Sequence, residues 1–213
     1  MSPSSTLAGL RDFQELALHG GRLPLDFVNS VGAWVPHLER DYLTSYDDLL
    51  AWSLHAGALT DAEVQTLRPA ATRSPEVAQI VYTKAQALRE ALHRLFAAIA
   101  HDAPPLPEDR ELLNAALASA LPHRQLVADG LGFRWAWGGP PEALDRMLWP
   151  IAYEAAALLT APELARVREC PAPDCGWLFL DLSKNRSRRW CSMETCGNAA
   201  KARRHYQRHK GEA

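Results

Sequence analysis

Cysteine is scarce in this chain, and none of it lies in the first 169 residues. The long N-terminal part must therefore hold itself together without thiol cross-links or thiolate-bound metal. Long apolar runs are missing too: no stretch approaches the ~20 residues that a membrane-spanning helix needs, so no membrane association is expected. There is no Walker loop, no G-x-S-x-G, no H-E-x-x-H and no dinucleotide fingerprint. These absences remove the commonest phosphoryl-transfer, acyl-transfer, metallohydrolase and hydride-transfer chemistries, and a non-enzyme is the expectation. No internal repeat stands out. Residues 1–20 lack the basic segment and apolar run of a secretory leader, so a cytoplasmic location is expected.

Acid is also nearly missing from one region. From Ser183 to Lys210, Glu194 stands alone against nine cations, a net +8. Residues 1–182 carry 14 basic and 23 acidic residues, a net −9. The overall charge of −2 hides a polyanion-binding end on an acidic body.

What is present is concentrated at that end. Cys170 and Cys175 form one C-x4-C pair, Cys191 and Cys196 a second, and fifteen residues separate them. Zinc takes four soft or borderline ligands in a tetrahedron, and four thiolates leave no open position for catalysis. The spacing therefore predicts one structural Zn2+ on Cys170, Cys175, Cys191 and Cys196. Two disulfides would use the same cysteines but belong to oxidising compartments. His205 and His209, i and i+4 on the tail, could join Cys191 and Cys196 in a Cys2His2 site. That set would orphan Cys170 and Cys175.

The pass along the chain predicts mainly helix. Phe13 to Leu18 reads as a short strand before the Gly20-Gly21 turn, and residues 26–31 as a short helix with Asp26 and Asn29 on one face. With His19 these two form a candidate polar pocket for a small ligand; the alternative is local capping that fixes the turn. Ser45 can cap a helix over 46–55, and Thr60-Asp-Ala-Glu63 matches a capping box for a helix ending near Arg68, before Pro69. Ser74-Pro75 opens a long helix to about Ala100, and 109–121 is another. A hairpin turning at 129–132 is expected over 124–138. Pro140 then opens a helix to about Thr160, broken or kinked at Pro150. Residues 164–168 read as a strand.

In the C-terminal segment Asp174-Cys175-Gly-Trp-Leu-Phe-Leu-Asp181, Asn185-Arg-Ser-Arg-Arg-Trp-Cys191-Ser-Met and Cys196-Gly-Asn198 resemble the CGNR-type zinc finger of bacterial proteins. Upstream, Gly20-Gly21…Leu25-Asp26-Phe27-Val28-Asn29 and Leu49-Leu50-Ala51-Trp52…Gly57 resemble the ABATE domain that precedes such fingers. The resemblance covers nearly the whole chain. It implies a mainly helical N-terminal domain that binds an unidentified ligand, then a treble-clef finger, in a stress-induced transcriptional regulator. Ala199 stands where the family motif ends in arginine. A phosphate contact made there would be missing, with Lys201 or Arg203 as substitutes.

The expected organisation is a mainly α domain with small β-hairpin elements over 1–162 and a small treble-clef finger over 163–213. In the finger, residues 177–180 would pair with 188–190, around a small core of Trp177, Phe179 and Trp190. Arg186, Arg188 and Arg189 on that hairpin, with Lys201, Arg204 and Arg208 on one face of the closing helix, are the candidate nucleic-acid contacts. DNA is the expected partner, with RNA open, and the chain would act as a monomer or homodimer. The rival readings are a protein-interaction adaptor with a structural zinc, and a small-molecule enzyme built on His19, Asp26 and Asn29.

Overall fold

The computed structural model describes residues 9–35 and 40–210. Seven helices and four short strands follow one another in the described residues. They are α1 (Leu23–Val28), α2 (Tyr46–His55), α3 (Asp61–Arg73), α4 (Pro75–Ala100), α5 (Pro107–Ala120), β1 (Arg124–Asp129), β2 (Gly132–Trp137), α6 (Leu148–Leu159), β3 (Val167–Glu169), β4 (Leu178–Leu180) and α7 (Asn198–Lys210). No helix among the described residues is long and apolar enough to cross a membrane.

Local sequence accounts for the helix starts. Ser45 Oγ accepts the Asp48 N–H at 3.0 Å. Thr60 and Glu63 cap α3 reciprocally, satisfying donors that the first turn leaves open. Glu63 also holds Arg146 at 2.6 Å, and that guanidinium donates to the carbonyls of Trp137 and Gly138. One capping box thus ties α3 to the hairpin and to the approach to α6.

Five expectations change. The short helix expected over 26–31 is α1, which starts earlier, with Pro24 in its first turn, and ends at Val28 with Asn29 as its C-cap. α3 runs through Pro69 to Arg73; Gln65, whose carbonyl loses its partner, and Pro69 are both exposed, so water can reach that carbonyl, and the packing of Val64, Leu67, Ala70 and Ala71 offsets a proline cost of about 3 kcal/mol. The segment after Pro140 forms turns, and α6 begins only at Leu148. Pro150 then lies in the first turn, where its missing N–H has no intrahelical role. Residues 13–18 form a turn closed by Leu16 N–H on Phe13 O at 2.8 Å; only Phe13 is buried there, so no strand period is enforced. Residues 162–166 are a 3-10 turn, and the strand starts at Val167.

The core sits where α1, at the centre, meets α4, α6 and β4. Leu25, Phe27, Val28, Trp52, Leu92 and Ile151 are fully enclosed. Arg89 of α4 is buried in this region and forks onto Asp41, with a further bond to Ser30 Oγ at 3.0 Å. It fixes the ends of the segment between α1 and α2, where Val31 and Asp41 bridge.

The antiparallel β3–β4 pair belongs by sequence to the finger, yet Val167, Leu178 and Leu180 are part of the main core. Asn29, at the end of α1, completes the junction. Its side-chain amide donates to Leu178 O at 2.7 Å and accepts Leu178 N–H at 2.9 Å, pairing with the strand as a backbone would. Replacing Asn29 by Ala leaves a buried N–H and C=O unpaired. We expect a loss of about 2–4 kcal/mol, read as a lower urea midpoint at fixed zinc concentration.

Candidate functional site

β4 is covered on both sides because its side chains alternate. Leu178 and Leu180 enter the helical core, while Phe179 turns the other way and packs among Cys170, Ala172, Cys175 and Cys191. Trp177 and Trp190 close this second cluster from its rim. The small core expected from Trp177, Phe179 and Trp190 is present.

Two segments bring the cysteines together. The first pair lies at the tip of β3–β4, where Cys170 N–H bonds Trp177 O at 2.8 Å and Cys175 N–H bonds Ala172 O at 3.1 Å. Gly176 has φ +72°, and a Cβ there would come within 3.1 Å of Trp34 Cβ, so glycine fits both the backbone and the space. Cys191 enters from the following loop. Cys196 lies in a wide π-helical turn, Met193–Gly197, that leads directly into α7; Ser192 Oγ caps it through Thr195 N–H at 3.4 Å.

The four sulfurs lie within 4.8 Å of one another. Cys175 and Cys191 are 3.5 Å apart, Cys191 and Cys196 3.6 Å. A tetrahedron with Zn–S bonds of about 2.3 Å has edges of about 3.8 Å, so this donor set fits one structural zinc ion. Without metal, hydrogen bonds from Cys175 and Cys191 pull the Cys170 thiol far down, and that same sharing with Cys170 pushes Cys175 and Cys191 up. Of these three only Cys170 is driven toward the thiolate, and zinc would take the place of the protons that the sulfurs share. His205 is on exposed α7, away from the four-sulfur group; the His209 side chain lies outside the described residues.

The pairing expected within the finger differs from the observed one. β4 pairs with β3, not with residues 188–190. Buried Asp181 accepts Ser183 N–H and Oγ–H and Arg188 N–H, curling the chain away from an extended path. Arg188 then turns inward. Its guanidinium donates to the carbonyls of His19, Leu180, Trp190 and Cys191 and lies 4.3 Å from the Phe179 ring. It is a clamp on the metal loop, with its donors engaged by protein carbonyls.

The other proposed contacts are on the surface. Arg186, Arg189, Lys201 and Arg204 are exposed, and Arg189 lies over Trp190 at 5.5 Å. Arg203, a possible substitute for the family arginine, is 3.5 Å from Asp174. The Arg208 side chain lies outside the described residues.

His19, Asp26 and Asn29 surround the joint between finger and helical body. The His19 ring is 6.2 Å from Trp177, and its pKa is lowered by burial and by Arg188. Asp26 accepts Gly20 N–H at 2.7 Å; a Cβ on Gly20 would strike Asp26 N and Leu25 Cβ at 2.7 Å, so this close turn needs glycine. Asn29 is committed to Leu178. Trp177 Nε1 donates to Val31 O, Trp34 N–H to Cys175 O and Leu180 N–H to Gly20 O, all at 2.7–2.9 Å. Asn29, set close after Phe27 and Val28 and before Val31, was a signal that some buried backbone group needed it. Nothing in the sequence marked Trp34 or Arg188 as joint residues.

Residues 21–162 match the ABATE family, described as "Putative stress-induced transcription regulator". The chain belongs to this family. Residues 166–209 match the CGNR zinc finger. Both are regulator and zinc-finger types, not enzyme families, and they give this ABATE protein a regulatory, zinc-binding role. No curated protein matches the chain.

Two predictions follow from this geometry. Chelation should strip one zinc per chain and, because Phe179 shares its strand with two core leucines, loosen α1 as well as the finger; hydrogen exchange should rise at Val28–Ser30 and Leu178–Leu180 together. The second concerns pH. Burial pushes the Asp26 carboxyl up to about 6, against the pull of Gly20 N–H, Arg188 and His55. Between pH ~4 and 6 the folded state keeps a proton that the unfolded state has released, so stability falls as pH rises through that window. Asp26→Asn keeps the acceptor for Gly20 N–H and removes the ionisation. Its stability relative to wild type should climb from pH 4 to 7, ending about 1–3 kcal/mol ahead in paired denaturation curves.

Proposed function

We propose that this ABATE protein is a DNA-binding regulator in which Cys170, Cys175, Cys191 and Cys196 hold a zinc that anchors α7 as the contact helix. The exposure of α7 carries the reading: every described side chain from Lys201 to Gln207 is exposed. An exposed stretch of this kind gains little from packing, and a helix has the ~10–12 Å diameter that a major groove about 12 Å wide admits. Lys201 and Arg204 share one face of it, and Arg186 and Arg189 add charge from the neighbouring loop. Asn198 at the start of α7 follows the metal turn directly, so the zinc sets the helix direction.

Ligand sensing by the helical domain is the second half of the proposal. Its support moves from His19, Asp26 and Asn29, which serve the joint, to a cavity of about 270 Å³ between α4, α5 and α6. Leu88, Leu112, Leu148 and Trp149 give it apolar walls, and Lys84 and Asp145 a polar edge, the composition of a small-molecule site. α4 and α6 also flank α1, so an occupant bears on the helix that carries Asn29.

The test is duplex-DNA binding by the zinc-loaded chain, titrated against salt. Lys201→Ala/Arg204→Ala should weaken binding and flatten the slope of log K against log salt by about 2, with zinc content unchanged. Arg188→Ala should instead reduce zinc retention. Unchanged salt dependence in the double variant, or binding to RNA alone, would reject the DNA reading.

A further inference from the structure

The β1–β2 hairpin carries an apolar face out past the helical body. Directly paired residues share a face, so Leu126 lies with Trp135, Ala128 with Phe133 and Arg124 with Trp137 on one side. The base of this side is covered. The Arg124 guanidinium lies 4.7 Å from the Trp137 ring and 4.6 Å from Tyr153 of α6, and Trp137 meets Tyr153 edge-on. Farther out the cover ends. Trp135 is 53% exposed, Leu126 58% and Phe133 76%, and Leu131 at the tip is fully exposed. Gly130, with φ +59° at the first position of the two-residue loop, closes a tight turn of the type that favours hairpins, so this exposure belongs to a well-formed element. A two-stranded hairpin alone is marginal in water, and contiguous apolar patches of this kind mark interaction sites.

We propose that this face pairs with the same face of a second copy of the chain, about a two-fold axis. Charge selects a second copy. Leu126, Ala128, Leu131 and Phe133 carry no charge, and the one cation that reaches this half, Arg124, is held over the Trp135 ring at 5.4 Å, while Arg134 and Asp129 pair at 3.7 Å and, by the strand register, lie on the opposite side. Two identical faces therefore meet without opposing like charges, as a self-complementary two-fold contact requires. Area agrees. With about 150–250 Å² for each aromatic side chain and somewhat less for each leucine, the two aromatic and two leucine residues expose roughly 500 Å², so two copies would bury at most about 1,000 Å², the lower bound for a specific pair. A pair would carry two basic α7 helices and make the second nucleic-acid contact intramolecular. The proposal itself stands without any nucleic-acid role.

Sedimentation equilibrium of the full zinc-loaded chain, from micromolar to millimolar, tests it. The wild type should approach twice the monomer mass. Phe133→Glu/Trp135→Glu should stay monomeric, with circular dichroism and zinc content unchanged because both side chains lie largely outside the core. Arg134→Gln, on the other side of the strand, should dimerise as the wild type does. A wild type that stays monomeric throughout overturns the proposal. So does a dimer that survives the double substitution, a dimer lost in Arg134→Gln, or open-ended association.

Discussion

Three residues of β4 are the constraint on which the rest depends. Strand geometry sends successive side chains to opposite faces, and here the two faces serve different masters. Leu178 and Leu180 fill a helical core that began with Leu25, and Phe179 fills the cysteine cluster. A strand buried on both sides cannot slide by one residue without exchanging its two cores. Asn29 fixes that register with a pair of bonds of its own. The metal centre is thus part of the same packed object as the regulatory domain.

The arginines divide by what surrounds them. Arg89 and Arg188 face inward and each donates to several acceptors, which offset the cost of burying a guanidinium, although the Arg89 Nε–H has no partner among the described residues. Arg186, Arg189 and Arg204 face water. A charge count over 183–210 merges the two groups. Only the curl enforced by buried Asp181 separates Arg188 from its neighbours.

Much of this was legible in the sequence, for specific reasons. The matched cysteine pairs announced the four-sulfur cluster, since few other arrangements need that spacing. Ser45, Thr60 and Glu63 gave the starts of α2 and α3 through local bonds, and Gly130 marked the hairpin turn. What stayed hidden was non-local. Whether Pro69 ends a helix depends on the exposure of Gln65, and whether residues 188–190 pair with β4 depends on what Asp181 and Arg188 find instead. Asn29 and Leu178 are 149 positions apart, and no periodicity in either segment points to the other.

That separation has a consequence for biosynthesis. The N-terminal core needs Leu178 and Leu180, and Leu178 is made 149 residues after its partner Asn29. Until they emerge from the ribosome, α1 has an open flank and Asn29 an unpaired amide. The helices can form early, but the native core closes only once the finger has been made. For this protein, completing the helical core and assembling the metal site are one event, not two successive ones.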